Sequence, residues 1–494
     1  MSRADSSGST SEEDMNAYQE LTYPEAAMLT FGRSAHPVKC GYDLTIGDGL
    51  VLPEVNFTLP AMTVSAETRT AVLAQYREMV ESVLGRLATL GSPGAVIEFE
   101  HAPQMTEQVD VGRDITRQIA SQMRTAFEES GLRTALRVTV CDIRDRERPP
   151  RMRTGEAART MLESFVANAE AGADMLSIES TGGKEISDKA LMEGDTTGLL
   201  VALGTLGPRD MHFLWREIVK IADAAGIVPA GDTACAFANT AMVLADRHYI
   251  PNVLAAVVRA MSAVRSLVAF EEGARGPSKD CAYEGPVLKA ITGYPISMEG
   301  RSSACAHFSH VGNIASAACD LWSNESVQNV QLLSGFAPEV FTEILEYDCR
   351  LMNEAIETGA DAMLRRLLVR SDINRSVHAM IIAPDAAVRI AAAIVAESSD
   401  FLRTRAAGLA ACELIRSARS AGELVLPTRE MSWLDRIEAA LESATDEDDA
   451  LAEVLCRYGC SILRSEDHTS EVLGRYGGSI LPEEYGLAAE QLSA

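Results

Sequence analysis

Only six lysines, Lys39, Lys184, Lys189, Lys220, Lys279 and Lys289, stand among 494 residues, and the formal net charge is −27. So little positive charge suits neither a phosphate backbone nor an anionic bilayer, which excludes nucleic acid and membrane surfaces as expected partners. No run approaches the roughly 18 uninterrupted apolar residues of a membrane helix. The start, Met1–Asp14, is rich in Ser, Glu and Asp and has neither the basic nor the apolar region of a secretory signal. The expectation is therefore a cytoplasmic protein. No short Cys-x-x-Cys signature is present. The ten cysteines are scattered, and in a reducing compartment they are free to serve as core residues or metal ligands. High acidity with scarce lysine fits a saline cytoplasm and a biased genome equally well.

What the chain does have is alternation. Strand patterns at Ala95–Glu100, Ala135–Ile143, Asp174–Glu179, Gly198–Leu206, Ile227–Gly231 and Ser266–Glu271 are separated by helix patterns, with weaker strands at Tyr294–Glu299 and Val327–Leu333. Eight strands with helical crossovers build a parallel sheet and fit closure as a (β/α)8 TIM barrel, with an open doubly wound sheet as the alternative. Residues 1–20 read as an acidic, flexible leader. A loop from Glu54 and a helix over Ala66–Leu90 place 21–91 as an N-terminal segment. The barrel then occupies 92–340, and the almost wholly helical pattern of 341–494 forms a C-terminal extension.

A barrel gathers the ends of its strands on one face. Glu179 closes the run Ala173–Glu179, Cys235 lies just past Ile227–Ala230, and Cys281 ends a Gly/Pro loop after Ser266–Glu271. Two thiolates and a carboxylate brought together there make a three-ligand Zn2+ site with one position open for substrate. The ordinary alternatives are a small buried hydrophobe for each Cys and a cap or salt bridge for the Glu. Asp232, Asn239, Lys184 and Lys279 border the three and are candidates to orient them. Glu98 and Glu100 share one face of their strand, as candidate acids or as a polar barrel lining. His307 and His310, three apart, are expected in structural or supporting roles.

The segments Gly172–Glu185 (GADMLSIESTGGKE), Gly231–Met242 (GDTACAFANTAM), Gly276–Glu284 (GPSKDCAYE), Cys305–His307 and Leu321–Ser326 (LWSNES) resemble the methanol:corrinoid methyltransferase subunit of methanogenic archaea and some bacteria. The similarity runs from about Phe31 to Gly486. The resemblance implies a TIM barrel with a helical extension, one zinc ion, and ligands falling on Glu179, Cys235 and Cys281, none of them substituted. It also implies methyl transfer from methanol to cobalt(I) of a corrinoid. Families that bind the corrinoid themselves use Asp-x-His-x-x-Gly; Asp210-Met211-His212 begins that way but meets Trp215 where Gly is needed. The corrinoid is therefore expected on a separate partner protein, in a complex containing a homo-oligomer of this chain. Another methyl donor, such as a methoxylated compound, or a non-catalytic scaffold role are the alternatives.

Near the C-terminus Glu453–Leu463 (EVLCRYGCSIL) recurs as Glu471–Leu481 (EVLGRYGGSIL). Cys456 and Cys460 are replaced by Gly474 and Gly478 in the second copy, which argues against a role demanding both thiols.

Overall fold

The computed structural model describes residues 18–58, 62–279, 283–327, 331–459 and 480–487. Seven strands form one sheet in which every pairing is parallel. In chain order they are β1 (Leu52–Thr58), β2 (Ala95–Glu100), β3 (Thr134–Cys141), β4 (Met175–Glu179), β5 (Val228–Asp232), β6 (Ser297–Glu299) and β7 (Leu321–Val327). Their spatial order is β5-β4-β3-β2-β1-β7-β6. The gap between β5 and β6 is filled by the extended chain around 275–278. Arg275 donates its backbone N–H to Pro229 O at 2.8 Å, and Ser278 bridges in parallel to Ile296. The sheet thereby curls into the TIM barrel the alternation predicts.

Inside the barrel the side chains change character with height. At the N-terminal end Leu52, Val96, Ala135, Met175, Ala230 and Leu321 form an apolar layer. An antiparallel hairpin, Arg33–Cys40 and Leu44–Asp48, closes that end by inserting Cys40, Leu44 and Ile46 into the same cluster. Above it Arg137, fully buried, donates to Glu54 at 2.5 Å, to Ser177 at 2.8 Å and to Pro277 O at 3.0 Å. Ser297 donates to the other Glu54 oxygen. At the C-terminal end the lining is acidic: Glu98, Glu100, Glu179 and Glu299. The alternate, outward-facing residues, among them Ile97, Phe99, Leu136, Val138, Leu176 and Ile178, join the main hydrophobic core with the surrounding helices. That is the period-two division a strand imposes.

Two expected strands are helical. Gly198–Leu206 lies in the helix Thr196–Val201 and the π-helical turn Ala202–Leu206. Ser266–Glu271 is the last part of the helix Asn252–Glu271. Both are apolar all round because they are buried on all sides, and such a run carries no period that separates strand from helix. Asn252–Glu271 is long and apolar enough to cross a membrane, yet it is wholly buried within the protein, packed against the helix Asp400–Ser420. In the other direction, the stretch expected as a loop from Glu54 is β1. Its polar residues Glu54 and Asn56 face the barrel interior, so it does not read as a strand with an apolar inner face. The last strand falls on Leu321–Val327, just ahead of the expected Val327–Leu333.

Candidate metal centre

Glu179 is the last residue of β4 and is paired in register with Cys141 at the end of β3. Cys235 is the first residue of the helix Cys235–Asp246, which follows β5 after two residues. Cys235 thus stands in the first turn of a helix, where the helix dipole favours an anionic group. The sulfur also accepts a hydrogen bond from Asn239 Nδ2 at 2.8 Å, one turn along the same helix. Cys281 falls outside the described residues, but Lys279 before it and Tyr283 and Glu284 after it do not.

Direct bonds tie the neighbours of all three residues together. The backbone N–H of Ser180, next to Glu179, donates to Asp232 Oδ1 at 3.2 Å. Arg265, a fully buried cation in the helix Asn252–Glu271, donates to the carbonyls of Ser180 and Thr233, each at 3.2 Å. The N–H of Ala234, next to Cys235, donates to Glu284 Oε1 at 2.8 Å, and Ser266 Oγ donates to the same oxygen at 2.6 Å. These contacts gather the ends of β4 and β5 and the chain on the far side of Cys281 at one mouth.

The ammonium of Lys279 is almost completely buried and sits 2.7 Å from Glu98 Oε1, 3.3 Å from Glu100 Oε2 and 3.7 Å from Glu179 Oε1. Glu98 also accepts from Thr139 Oγ1 at 2.6 Å, and Glu100 from Asn56 Nδ2 at 2.9 Å. Both carboxylates are thus salt-bridged barrel lining, and their shared partner is the lysine nearest Glu179. Asp232 carries backbone and indole donors, including Trp215 Nε1 at 2.9 Å; burial pushes its carboxyl up against the lowering influence of Arg265. Lys184 turns to Asp188 at 2.6 Å and to Thr240 Oγ1 at 3.3 Å. His307 Nδ1 lies 2.6 Å from Glu299 Oε1, and Tyr283 OH donates to Glu299 Oε2 at 2.7 Å. His310 lies 3.7 Å from Asp246.

Several residues of the mouth give no sequence signal of their own as single letters. Cys141 stands beside Glu179, but burial first, then Asp142, Glu100 and Glu179, push its thiol well above the ordinary range. Glu284 is fully buried, and burial raises its carboxyl above the usual range despite its donors. Arg265 has a usable signal, since a charged residue inside an apolar run is rarely buried without a partner.

A second group, His212, Glu271 and Asp400, places its ligand atoms within 4.8 Å of one another. Arg403 already occupies it, at 2.8 Å from Glu271 and 3.6 Å from Asp400. His212 Nδ1 is taken by Glu272 at 2.6 Å. This is an ion-pair network whose charge is balanced from within. Asp210, from the same sequence motif, is buried and bonded to Arg144 at 2.8 Å.

Fold and side chains together define a (β/α)8 barrel that carries a rim of carboxylates and thiols at the C-terminal ends of its strands. The chain matches the family described as methanol-cobalamin methyltransferase B subunit over residues 15–464, and it belongs to that family; it is a methyltransferase. A curated relative, the methanol–corrinoid protein co-methyltransferase of Methanosarcina barkeri (strain Fusaro / DSM 804), is 40% identical over 446 residues, covering 89% of this chain and 96% of the relative. A crystal structure of the methanol:cobalamin methyltransferase complex MtaBC from Methanosarcina barkeri matches with a TM-score of 0.87 at 38% identity, covering 95% of this chain and 99% of that one.

Proposed function

We propose that this chain is a cytoplasmic enzyme that moves the methyl group of methanol to the cobalt of a corrinoid carried by a partner protein, using one Zn2+ held by Glu179, Cys235 and Cys281. The observation that carries the reading is the convergence of the chain on either side of those three residues at one barrel mouth. The names of the relatives supply the substrate and the partner.

The donor set suits the ion. Two sulfurs and one carboxylate oxygen fall within the ligand types zinc takes, and three protein ligands leave the open position of a catalytic site. Counted as ionised, three such ligands and Zn2+ sum to −1, and Lys279 stands 3.7 Å from Glu179 to offset that charge. When bound, zinc supplies Lewis acidity, drawing off the charge that develops on the alcohol oxygen as its carbon–oxygen bond breaks.

The chain's own residues do the rest. Asn239 orients the Cys235 sulfur, and Glu98 and Glu100 hold Lys279 against the rim. The Arg137–Glu54 pair and the apolar layer beneath it fill the barrel below, which keeps water from reaching the site along the axis. The partner's corrinoid approaches from the open end.

The test is metal analysis of the purified protein, followed by methanol-dependent methylation of a reduced corrinoid. About one zinc per chain is expected. Cys235→Ala and Cys281→Ala should each lose bound zinc and at least about 100-fold in methylation rate, with the circular dichroism spectrum retained. Full activity in either variant with zinc absent sinks the proposal.

A further inference from the structure

The four residues that follow Glu179 turn the chain from β4 into the helix Lys184–Glu193. Their backbone donors are held by acceptors from three separate parts of the protein. Ser180 N–H goes to Asp232 Oδ1 at 3.2 Å, from the end of β5. Thr181 N–H goes to Asp142 Oδ2 at 2.9 Å, just past β3, and its hydroxyl goes to the same oxygen at 3.1 Å. Gly183 N–H goes to Tyr485 OH at 3.1 Å, across 302 positions of sequence. Gly182 has no room for a side chain, since an added Cβ would stand 2.3 Å from Asp210.

Tyr485 is the outsider. It belongs to the short turn Pro482–Tyr485 near the end of the chain, beyond the last residue of the family match at 464. It is 1% exposed, and Ile480, Leu481 and Leu487 around it are buried too. The turn is pinned from the other side by Glu484, which accepts the backbone N–H groups of Arg153 at 2.6 Å and Thr154 at 2.9 Å, and also the Thr154 hydroxyl. Arg144, bonded at 2.8–2.9 Å to both Asp142 and Asp210, locks the acceptors beside it. A phenol this deeply buried, spending its oxygen on one loop N–H, fixes where that loop lies.

The geometry points to Tyr485 as a positioning residue for Glu179, which makes the turn Pro482–Tyr485 a support of the proposed metal site. The inference rests on the zinc reading above. It goes beyond it by assigning the site a distant support that touches neither metal nor substrate. Outer supports of metal ligands typically tune affinity by 10–100-fold.

The test uses full-length Tyr485→Phe, which removes one oxygen and keeps the ring, with exposed Glu483→Gln as the control. Hydrogen exchange of the metal-free protein is read over the peptide spanning 175–191. Zinc affinity is read by chelator competition, and the ligand field by the absorption bands of the Co2+-substituted protein. Expected are faster exchange in that peptide alone, zinc affinity weaker by about tenfold and shifted Co2+ bands, with the melting temperature close to that of the parent and Glu483→Gln unchanged throughout. Unchanged exchange in Tyr485→Phe overturns the clamp. Faster exchange with unchanged zinc affinity and Co2+ bands overturns the positioning role while leaving the zinc reading intact. A parent chain that binds neither metal overturns the zinc reading itself, and the positioning role with it.

Discussion

His212 sits between Glu272, 2.6 Å from Nδ1, and Asp400, 3.4 Å from Nε2. Burial pulls the imidazolium down, but Asp400 and Glu272 outweigh it and raise its pKa to about 9. A histidine whose folded pKa lies above its unfolded value of about 6.5 gives its full stabilisation below about pH 6.5. That contribution is lost as pH rises through about 9. The side chain is 35% exposed, so screening discounts the effect to a modest one. The melting temperature is expected to fall between pH 7 and pH 10, and His212→Gln should flatten that part of the profile. An unaltered profile in the variant would show that the network does not depend on the charge. The proposed ligands behave differently with respect to legibility. The strand-end placement of Glu179 and Cys235 could be read from sequence because each marks the point where a strand pattern gives way to small and polar residues. Tyr485 could not, because what identifies it is a bond to a loop far away in the chain.

At the scale of elements, the hairpin that closes the barrel is a plug held by few side chains. Ile46 is fully buried among Leu44, Leu52, Val96 and the rest of the lower layer. Ile46→Ala should cost about 2–5 kcal/mol in chemical denaturation, and Ile46→Val about 0.5–1.5, with any bound zinc untouched because the proposed metal site lies at the opposite end. Equal stability in all three proteins would mean the plug is not packed. Part of the barrel itself escaped the sequence pattern. β1 alternates Glu54 and Asn56 toward the interior, so polar residues stand where an apolar inner face is expected. The stave around 275–278 is short and contains Gly276 and Pro277, which read as a loop. Conversely, Gly198–Leu206 and Ser266–Glu271 have strand composition but are buried helix on every side. The count of eight was right for the architecture even though two members were helices, because two real staves had gone unread.

For the molecule as a whole, the tandem repeat can be followed only at its outer ends. From the first copy, Arg457 pairs with Asp195 at 2.6 Å, and Tyr458 OH donates to Asp195 at 2.9 Å and Glu193 at 3.0 Å. From the second copy, Ile480 and Leu481 are buried beside the Tyr485 turn. Cys460, Gly474 and Gly478 lie outside the described residues. The described residues are the first seven of one copy, Glu453–Gly459, and the last two of the other, Ile480 and Leu481. Deleting 460–477, one full period, joins Gly459 to Gly478 and restores a single EVLCRYGGSIL. That protein should keep the parent's melting temperature and its methyl-transfer rate. A loss of either would show that the second copy contributes more than its end.

The closed floor of the barrel has a kinetic consequence. With the hairpin sealing one end and the Arg137–Glu54 pair blocking the bore, the proposed reaction has an alcohol enter by the strand-end mouth, the same face over which the corrinoid protein is proposed to dock. On that reading fuel and acceptor take turns: the small molecule enters first, the large one shuts the room behind it, and nothing spent leaves until the large one steps back.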